Sequence, residues 1–164
     1  MNQGYKFPLS KLEVPKNPLF LGIFNQCTNL NKLRMNIPDN LKYTEEHEWV
    51  RVEDGNIAYV GITDFAQGEL DELVYIEVAT VGETLGQGEV FGTVEAVKTT
   101  SELYMPVSGK IVEFNAHLDE AEGDNPTLVN EDPYGEGWIV KIEMSNTDET
   151  EELLDSEAYD KLVN

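Results

Sequence analysis

Residues 92–106 read GTVEAVKTTSELYMP, and they contain two strand-like runs joined by a short connection. Valine and threonine alternate with small or polar residues, which is the period of two that a pleated strand requires. We therefore predict strands over 89–96 and 100–104, with Lys98 at the tip of the hairpin. No Asn-Gly or Gly-Gly pair marks the turn, so this prediction depends on periodicity and not on turn chemistry.

Lys98 is isolated from other positive charges along the chain. Between Val52 and Gly109 it is the only lysine or arginine, whereas the same segment contains 11 aspartates and glutamates. One interpretation is a charged residue that blunts the edge of a sheet. The other is an exposed amine presented for covalent modification, with acidic surroundings that help an enzyme to recognise it. The spacing alone leaves both interpretations open.

The charge of the chain is large and unevenly distributed. The 164 residues suit one domain with a sizeable core, and the net charge is −21, divided into +4 over residues 1–34 and −25 over residues 35–164. Such an acidic surface repels phosphate backbones and anionic lipids, so we expect no nucleic acid or membrane partner. The single cysteine, Cys27, lies outside the acidic part, which therefore has no disulfide and no cysteine metal site.

The beginning of the chain differs from the rest in composition. It contains three of the seven prolines, no clear periodicity, and an apolar run over 19–24 that is too short to span a membrane. A transit peptide would be richer in arginine and serine. We predict a disordered basic leader or gene-model extension over residues 1–35 and a folded domain over residues 36–164.

The remaining elements are predicted from alternation and from capping residues. Further short strands are expected at 48–53, 56–61, 73–78, 110–115 and 138–144. Thr63 or Asp64 can cap a short helix, and Asp148 with Glu151 has the form of a capping box at the start of a C-terminal helical segment. This pattern predicts a mainly β fold, a sandwich of two antiparallel sheets with short helices.

Several motifs resemble one family of carrier proteins. VEAVK at 94–98 followed by MPVSG at 105–109 resembles the hairpin of lipoyl and biotinyl domains, although biotin carriers have methionines where Val97 and Thr99 stand. HEWVR at 47–51, GITD at 61–64 and PYGEGW at 133–138 then occur in the order found in the H-protein family of the glycine cleavage system. This resemblance extends over 41–163.

The resemblance implies a function and a cofactor. The fold would be the barrel-sandwich hybrid of lipoyl and biotinyl domains, and (R)-lipoate would be attached to Lys98 by lipoate-attaching enzymes. The chain would be a non-catalytic carrier, a monomer, that takes the aminomethyl group of glycine from a pyridoxal-phosphate glycine decarboxylase to a folate-dependent aminomethyltransferase. Dihydrolipoamide dehydrogenase would reoxidise the arm. The location would be the bacterial cytoplasm, or the mitochondrial matrix if residues 1–34 are a transit peptide.

Three acids join Lys98 as candidate site residues. Glu95 and Glu102 lie three residues before and four residues after Lys98, and we predict that an attaching enzyme recognises Lys98 through them. The alternative is that they are two solvated acids of a hairpin, which contribute little. The resemblance implies that Glu48 and Glu102 line an acidic pocket beside the lipoyl arm, next to Glu46 at a position where the family has a serine-like residue. No metal site is predicted.

Other functions stay open beside this one. They are a carrier that relays lipoyl groups to other complexes, a biotinyl carrier, and an unmodified docking module. An independent enzyme is disfavoured, because residues 35–164 contain no sequence pattern of nucleophile, base and acid.

Overall fold

The computed structural model describes residues 35–164, and the predictions made for the first 34 residues lie outside this part of the chain. Nine strands occur within it: β1 Lys42–Tyr43, β2 Glu48–Val52, β3 Ile57–Ile62, β4 Leu73–Glu77, β5 Thr84–Leu85, β6 Val90–Ala96, β7 Thr100–Tyr104, β8 Gly109–Phe114 and β9 Val140–Met144. The helices are α1 Asp64–Leu70, α2 Leu128–Glu131 and α3 Ser156–Val163, with a 3₁₀ turn at Thr147–Glu151.

The strands form two antiparallel sheets that enclose the main core. The larger sheet has the order β1-β2-β3-β9-β8-β5, and the smaller has the order β4-β6-β7. Alternate residues of the central strands face inward, so apolar side chains such as Val60, Val94 and Ile142 are buried between the sheets. The predicted fold class, a mainly β sandwich with short helices, is confirmed.

The hairpin of β6 and β7 forms as the periodicity predicts. Glu95 pairs with Thr100, and the Ala96 N–H donates to the Thr99 carbonyl at 2.8 Å to close the turn. Neither Val97 nor Lys98 adopts a positive φ. The turn therefore requires no glycine or asparagine, which explains why the sequence has no turn signature at this point.

The three motifs outside the hairpin contact one another. The Trp49 indole N–H donates to the Pro133 carbonyl at 2.9 Å, and the Tyr134 hydroxyl accepts from the Asp64 N–H at 3.0 Å. Trp49 lies directly over Gly61, where a Cβ would fall 2.6 Å from the indole. HEWVR, GITD and PYGEGW are thus parts of one packing arrangement around the larger sheet.

A second buried cluster lies on the opposite face of the larger sheet from the main core. Trp49 and Val50 are neighbours in β2 and point to opposite faces, and Trp49 joins Leu41, Tyr43 and Tyr159. Tyr159 comes from α3, so the C-terminal helix covers this face. None of the helices in residues 35–164 is long and apolar enough to cross a membrane.

Two details of the helices differ from the sequence predictions. Asp148 lies inside the 3₁₀ turn, where its N–H donates to the Asn146 side chain, and the helix α3 is capped instead by Asp155, which accepts from the Ala158 N–H at 2.8 Å. The capping-box prediction is therefore wrong, because α3 begins about two turns after Asp148. The short helix α2 was not predicted, because four residues show no helical period.

Candidate functional site

Lys98 lies at the end of the smaller sheet with its side chain open to solvent. The side chain is 79% exposed, and the neighbouring Val97 is 65% exposed. The turn that holds them is short and closed by a hydrogen bond, so the main chain is constrained while the amine remains accessible. This arrangement presents a primary amine to a large partner.

The tip contacts the connection between α1 and β4. The Val97 N–H donates to the Glu72 carbonyl at 3.2 Å, and the Lys98 Nζ lies 3.5 Å from a carboxylate oxygen of Asp71. Both charged groups are mostly exposed, and such ion pairs contribute at most about 1 kcal/mol to stability. The contact therefore orients the side chain more than it stabilises the fold.

Glu95 and Glu102 lie on the outward face of the hairpin that ends at Lys98. Glu95 is paired with Thr100, and Glu102 with Thr93, so both acids point away from the core and are exposed. The structure brings these two predicted residues onto one surface with the lysine at its end. Their part in recognition stays a prediction.

Glu48 has a different environment from the one expected of a pocket acid. It is 1% exposed, one carboxylate oxygen accepts from the Tyr104 N–H at 3.0 Å, and the other accepts from the Thr44 hydroxyl. Burial raises the pKa of the Glu48 carboxyl, and the hydrogen bonds from Thr44 and Tyr104 partly oppose that shift. Glu48 is therefore a buried connection between the two sheets.

The structure places Glu48 at the opposite end of β7 from Lys98. From Thr100 to Tyr104 the strand extends about 13 Å, at roughly 3.3 Å per residue. A group attached at Lys98 could approach Glu48 only through a long tether.

A cavity of about 260 Å³ adjoins Glu48. Its lining residues come from both sheets and from the C-terminal segment: Tyr43, Thr44, Glu45, Glu46, Glu48, Gln87, Gly88, Tyr104, Met105, Pro106, Glu152, Leu153 and Leu154. Glu46, at the serine-like position, is exposed at this cavity. The cavity combines apolar walls with several carboxyl groups, so its chemistry suits a positively charged ligand with an apolar stem.

Tyr104 connects the two acids that the resemblance assigned to one pocket. Its N–H bonds Glu48, while its hydroxyl donates to the Glu102 carboxylate at 2.8 Å. The bond to Glu102 is the main cause of a raised pKa at the Tyr104 hydroxyl. The sequence analysis missed Tyr104, although its place two residues after Glu102 puts both side chains on one face of β7.

The Lys98 amine can act as the acceptor of an acyl group. Within residues 35–164, no group of three or more histidine, cysteine, aspartate or glutamate side chains could hold a metal ion. An exposed lysine amine can be acylated by an enzyme that supplies an activated acid.

Comparisons with known proteins agree with the motifs. The family model described as glycine cleavage H-protein matches residues 41–164. A glycine cleavage system H protein of Bacteroides thetaiotaomicron is 57% identical over 130 residues, which cover 79% of this chain and 99% of that protein. The corresponding protein of Symbiobacterium thermophilum is 56% identical over 125 residues, 76% of this chain and 94% of the relative.

A solved structure shares the fold. The crystal structure of a glycine cleavage system H protein from Mycobacterium marinum aligns with a TM-score of 0.65 at 38% identity. The alignment covers 75% of this chain and 95% of that one.

Proposed function

The chain belongs to the glycine cleavage H-protein family, and we propose that it acts through lipoate held in amide linkage on Lys98. A lipoyl carrier role in glycine cleavage follows from the family. The observation that supports Lys98 as the attachment site is its position at the tip of a short hairpin, 79% exposed. The site fits a lipoyl group, because the Lys98 Nζ is exposed and an amide there would disrupt only its solvent-exposed ion pair with Asp71 among the described residues.

Partners are part of the same proposal. Attached lipoate would supply a dithiolane for an aminomethyl group passed from glycine decarboxylase to the folate-dependent aminomethyltransferase, with reoxidation by dihydrolipoamide dehydrogenase. Residues 35–164 would contribute docking, through a surface with a charge of −25. Such a surface favours basic faces on the partners, so association should weaken as salt rises.

The hairpin has a mechanical part in this function. Enzymes that act in turn on one tethered group require its point of attachment to be accessible from several directions. The closed turn limits the motion of the main chain at Lys98, and the exposed outer face with Glu95 and Glu102 lies next to it. We propose that a lipoate-attaching enzyme binds this face and recognises it together with Lys98.

The cavity beside Tyr104 is the proposed docking place for the end of the arm. Glu102 and Glu46 are exposed and can attract a cationic group, and Tyr104 orients Glu102 through its hydroxyl. The buried Glu48 holds the main chain of Tyr104 and thereby shapes the cavity wall. In this proposal the two predicted pocket acids have different roles, one electrostatic and one positional.

Intact mass of the protein purified from its native cells tests the proposal. We expect the mass of one lipoyl group on the parent chain and none on Lys98→Arg, because arginine keeps the charge but is not acylated at a lysine site. A biotinyl mass, a bare chain under glycine-induced growth, or a lipoyl mass on Lys98→Arg would contradict the proposal.

A further inference from the structure

We propose that Asn130 is a positioning residue for Lys98, acting through the connection between α1 and β4. The inference rests on the proposed function, because it concerns how Lys98 is presented for attachment. Asn130 lies in the short helix α2, and its side chain makes no hydrogen bond to the hairpin tip. Its side chain instead makes three hydrogen bonds to the α1–β4 region, which contacts the tip.

The Asn130 side chain directs three hydrogen bonds to one region, through both amide donors and its carbonyl oxygen. Its side-chain carbonyl accepts from the Leu73 N–H at 3.1 Å. Its amide N–H groups donate to the Asp71 carbonyl and to the Gln67 side-chain carbonyl, both at 2.9 Å. The Asn130 side chain thus fixes the end of α1, the connection and the start of β4 together.

The connection needs such support because the sheet does not hold it. Pairing of β4 with β6 begins at Leu73, opposite Ala96, and the register shifts between Leu73 and Tyr75. Asp71 and Glu72 precede this ladder. Asn130 therefore acts as the partner that a neighbouring strand would otherwise supply.

Asp71 shows that the connection is held in an unfavourable conformation. Its φ of 69° with ψ of −150° lies in a region that glycine adopts far more readily than any other residue. Its N–H donates to the Gln67 carbonyl at 3.0 Å, and its carbonyl is held by Asn130. A strained backbone conformation persists only where the surrounding contacts hold it. At Asp71 this conformation places the side-chain carboxylate beside the Lys98 amine.

The hairpin tip depends on the same connection at two points. These are the Val97 N–H to the Glu72 carbonyl and the Lys98 Nζ to Asp71. Without Asn130 we expect Asp71 and Glu72 to relax, so that both contacts at the tip are lost. The amine would remain exposed and chemically unchanged, but its position relative to β6 and β7 would be less defined.

The rate of enzyme-catalysed transfer of an acyl group to Lys98 depends on how precisely the amine is positioned. Misplacing a reacting group by about 1 Å can lower a rate by about a hundredfold. Because the closed turn still holds Lys98 in part, we expect Asn130→Ala to lower kcat/KM for lipoylation of the carrier about tenfold. The assay uses a purified lipoate-attaching enzyme with lipoate, ATP and varied carrier.

Asn115→Ala is the matched control. Asn115 is buried and also makes three hydrogen bonds, to the Glu136 carbonyl at 2.8 Å, the Trp138 carbonyl at 2.7 Å and the His117 N–H at 3.1 Å. These contacts brace the segment that contains α2 without touching Asp71 or Glu72. We expect Asn115→Ala to lower Tm at least as much as Asn130→Ala while kcat/KM changes less than twofold.

Amide hydrogen exchange of the unmodified chain provides a second readout. Asn130→Ala should speed exchange at the Val97 N–H selectively, with core strands such as β9 little changed below the melting range. Asn130→Asp, which keeps the acceptor for Leu73 and loses both donors, should also speed exchange at Val97. If Asn130→Ala folds poorly, the exchange rate of the Val97 N–H in Asn130→Asp tests the proposal instead.

The outcomes separate this inference from the function on which it rests. Equal loss of kcat/KM in Asn130→Ala and Asn115→Ala, or unchanged exchange at Val97, would overturn the role of Asn130 while leaving Lys98 as the attachment site. A parent chain that accepts no lipoate at Lys98 would overturn the proposed function and this inference with it.

Discussion

Glu48 is an ionisable residue whose loss of a proton the fold opposes. Burial raises the pKa of its carboxyl, so the folded chain holds this proton more tightly than the unfolded chain does. The resulting contribution to the free energy of unfolding is fully present below the unfolded pKa, about 4.3, and is lost as pH rises through the folded pKa. Ionisation of Glu48 in the folded chain therefore lowers the free energy of unfolding.

Glu48→Gln should remove that pH dependence. The amide keeps an acceptor for the Tyr104 N–H but has no proton to lose, so the variant should gain stability relative to the parent as pH rises from about 4 to 7. Urea unfolding at several pH values measures the difference. Glu46→Gln, at an exposed acid of the same cavity, controls for removal of one charge. A difference between Glu48→Gln and parent that does not vary with pH would contradict this account.

The helix α3 is held by one buried tyrosine. The Tyr159 hydroxyl lies 2.8 Å from His47 Nδ1 and 2.7 Å from the Thr63 hydroxyl, and its ring stacks on Tyr43 with centroids 4.6 Å apart. Burial raises the pKa of Tyr159 to about 12 and lowers that of His47. The neutral forms of both side chains are therefore favoured, and their hydrogen bonds join α3 to the start of β2 and the N-terminal cap of α1.

Tyr159→Phe should weaken this attachment. The change keeps the stacked ring but leaves His47 and Thr63 without their partner, which should lower the free energy of unfolding by about 1–3 kcal/mol. Tyr43→Phe is the control, because it removes one hydroxyl from the same stack and frees only the Pro38 carbonyl. Urea unfolding should show the larger loss for Tyr159→Phe, and equal losses would show that the paired hydroxyls contribute nothing extra.

At the scale of the whole molecule, the charge and the fold divide the chain at the same place. Residues 35–164 form one compact unit with a charge of −25 and two buried clusters, each covered by elements of that unit. The opposite charge and the prolines of residues 1–34 remain the basis for predicting a leader that the carrier does not need.

A chain that begins at Met35 should therefore match the full chain. We expect the same thermal midpoint within about 2 °C, since a change of 1 kcal/mol would shift it by about 4 °C, the value at which the ranges for smaller and larger domains meet. Its lipoylation rate should also be unchanged. A fall of several degrees in the midpoint would show that residues 1–34 pack on the domain, and a slower rate alone would place them in recognition.

The hairpin and the lysine at its tip could be predicted from sequence because their signals are local. Alternation over a few residues indicates a strand, and it located β6 and β7 to within one residue. The family followed from four motifs in order. The cap of α1 could also be predicted, because Thr63 accepts from the Ala66 N–H. Asp148 does not cap α3, since the acid that accepts from the Ala158 N–H is Asp155, seven residues later.

What the sequence by itself determined was therefore the sandwich, the family and the exposed Lys98. Only the tertiary structure decided that Glu48 is a buried connection and that Tyr104 links it to Glu102. The support that Asn130 gives to the connection beside Lys98 is of the same kind. Burial and these hydrogen bonds arise between residues far apart in the chain. No local period encodes such contacts, because they exist only after the two sheets have closed on each other.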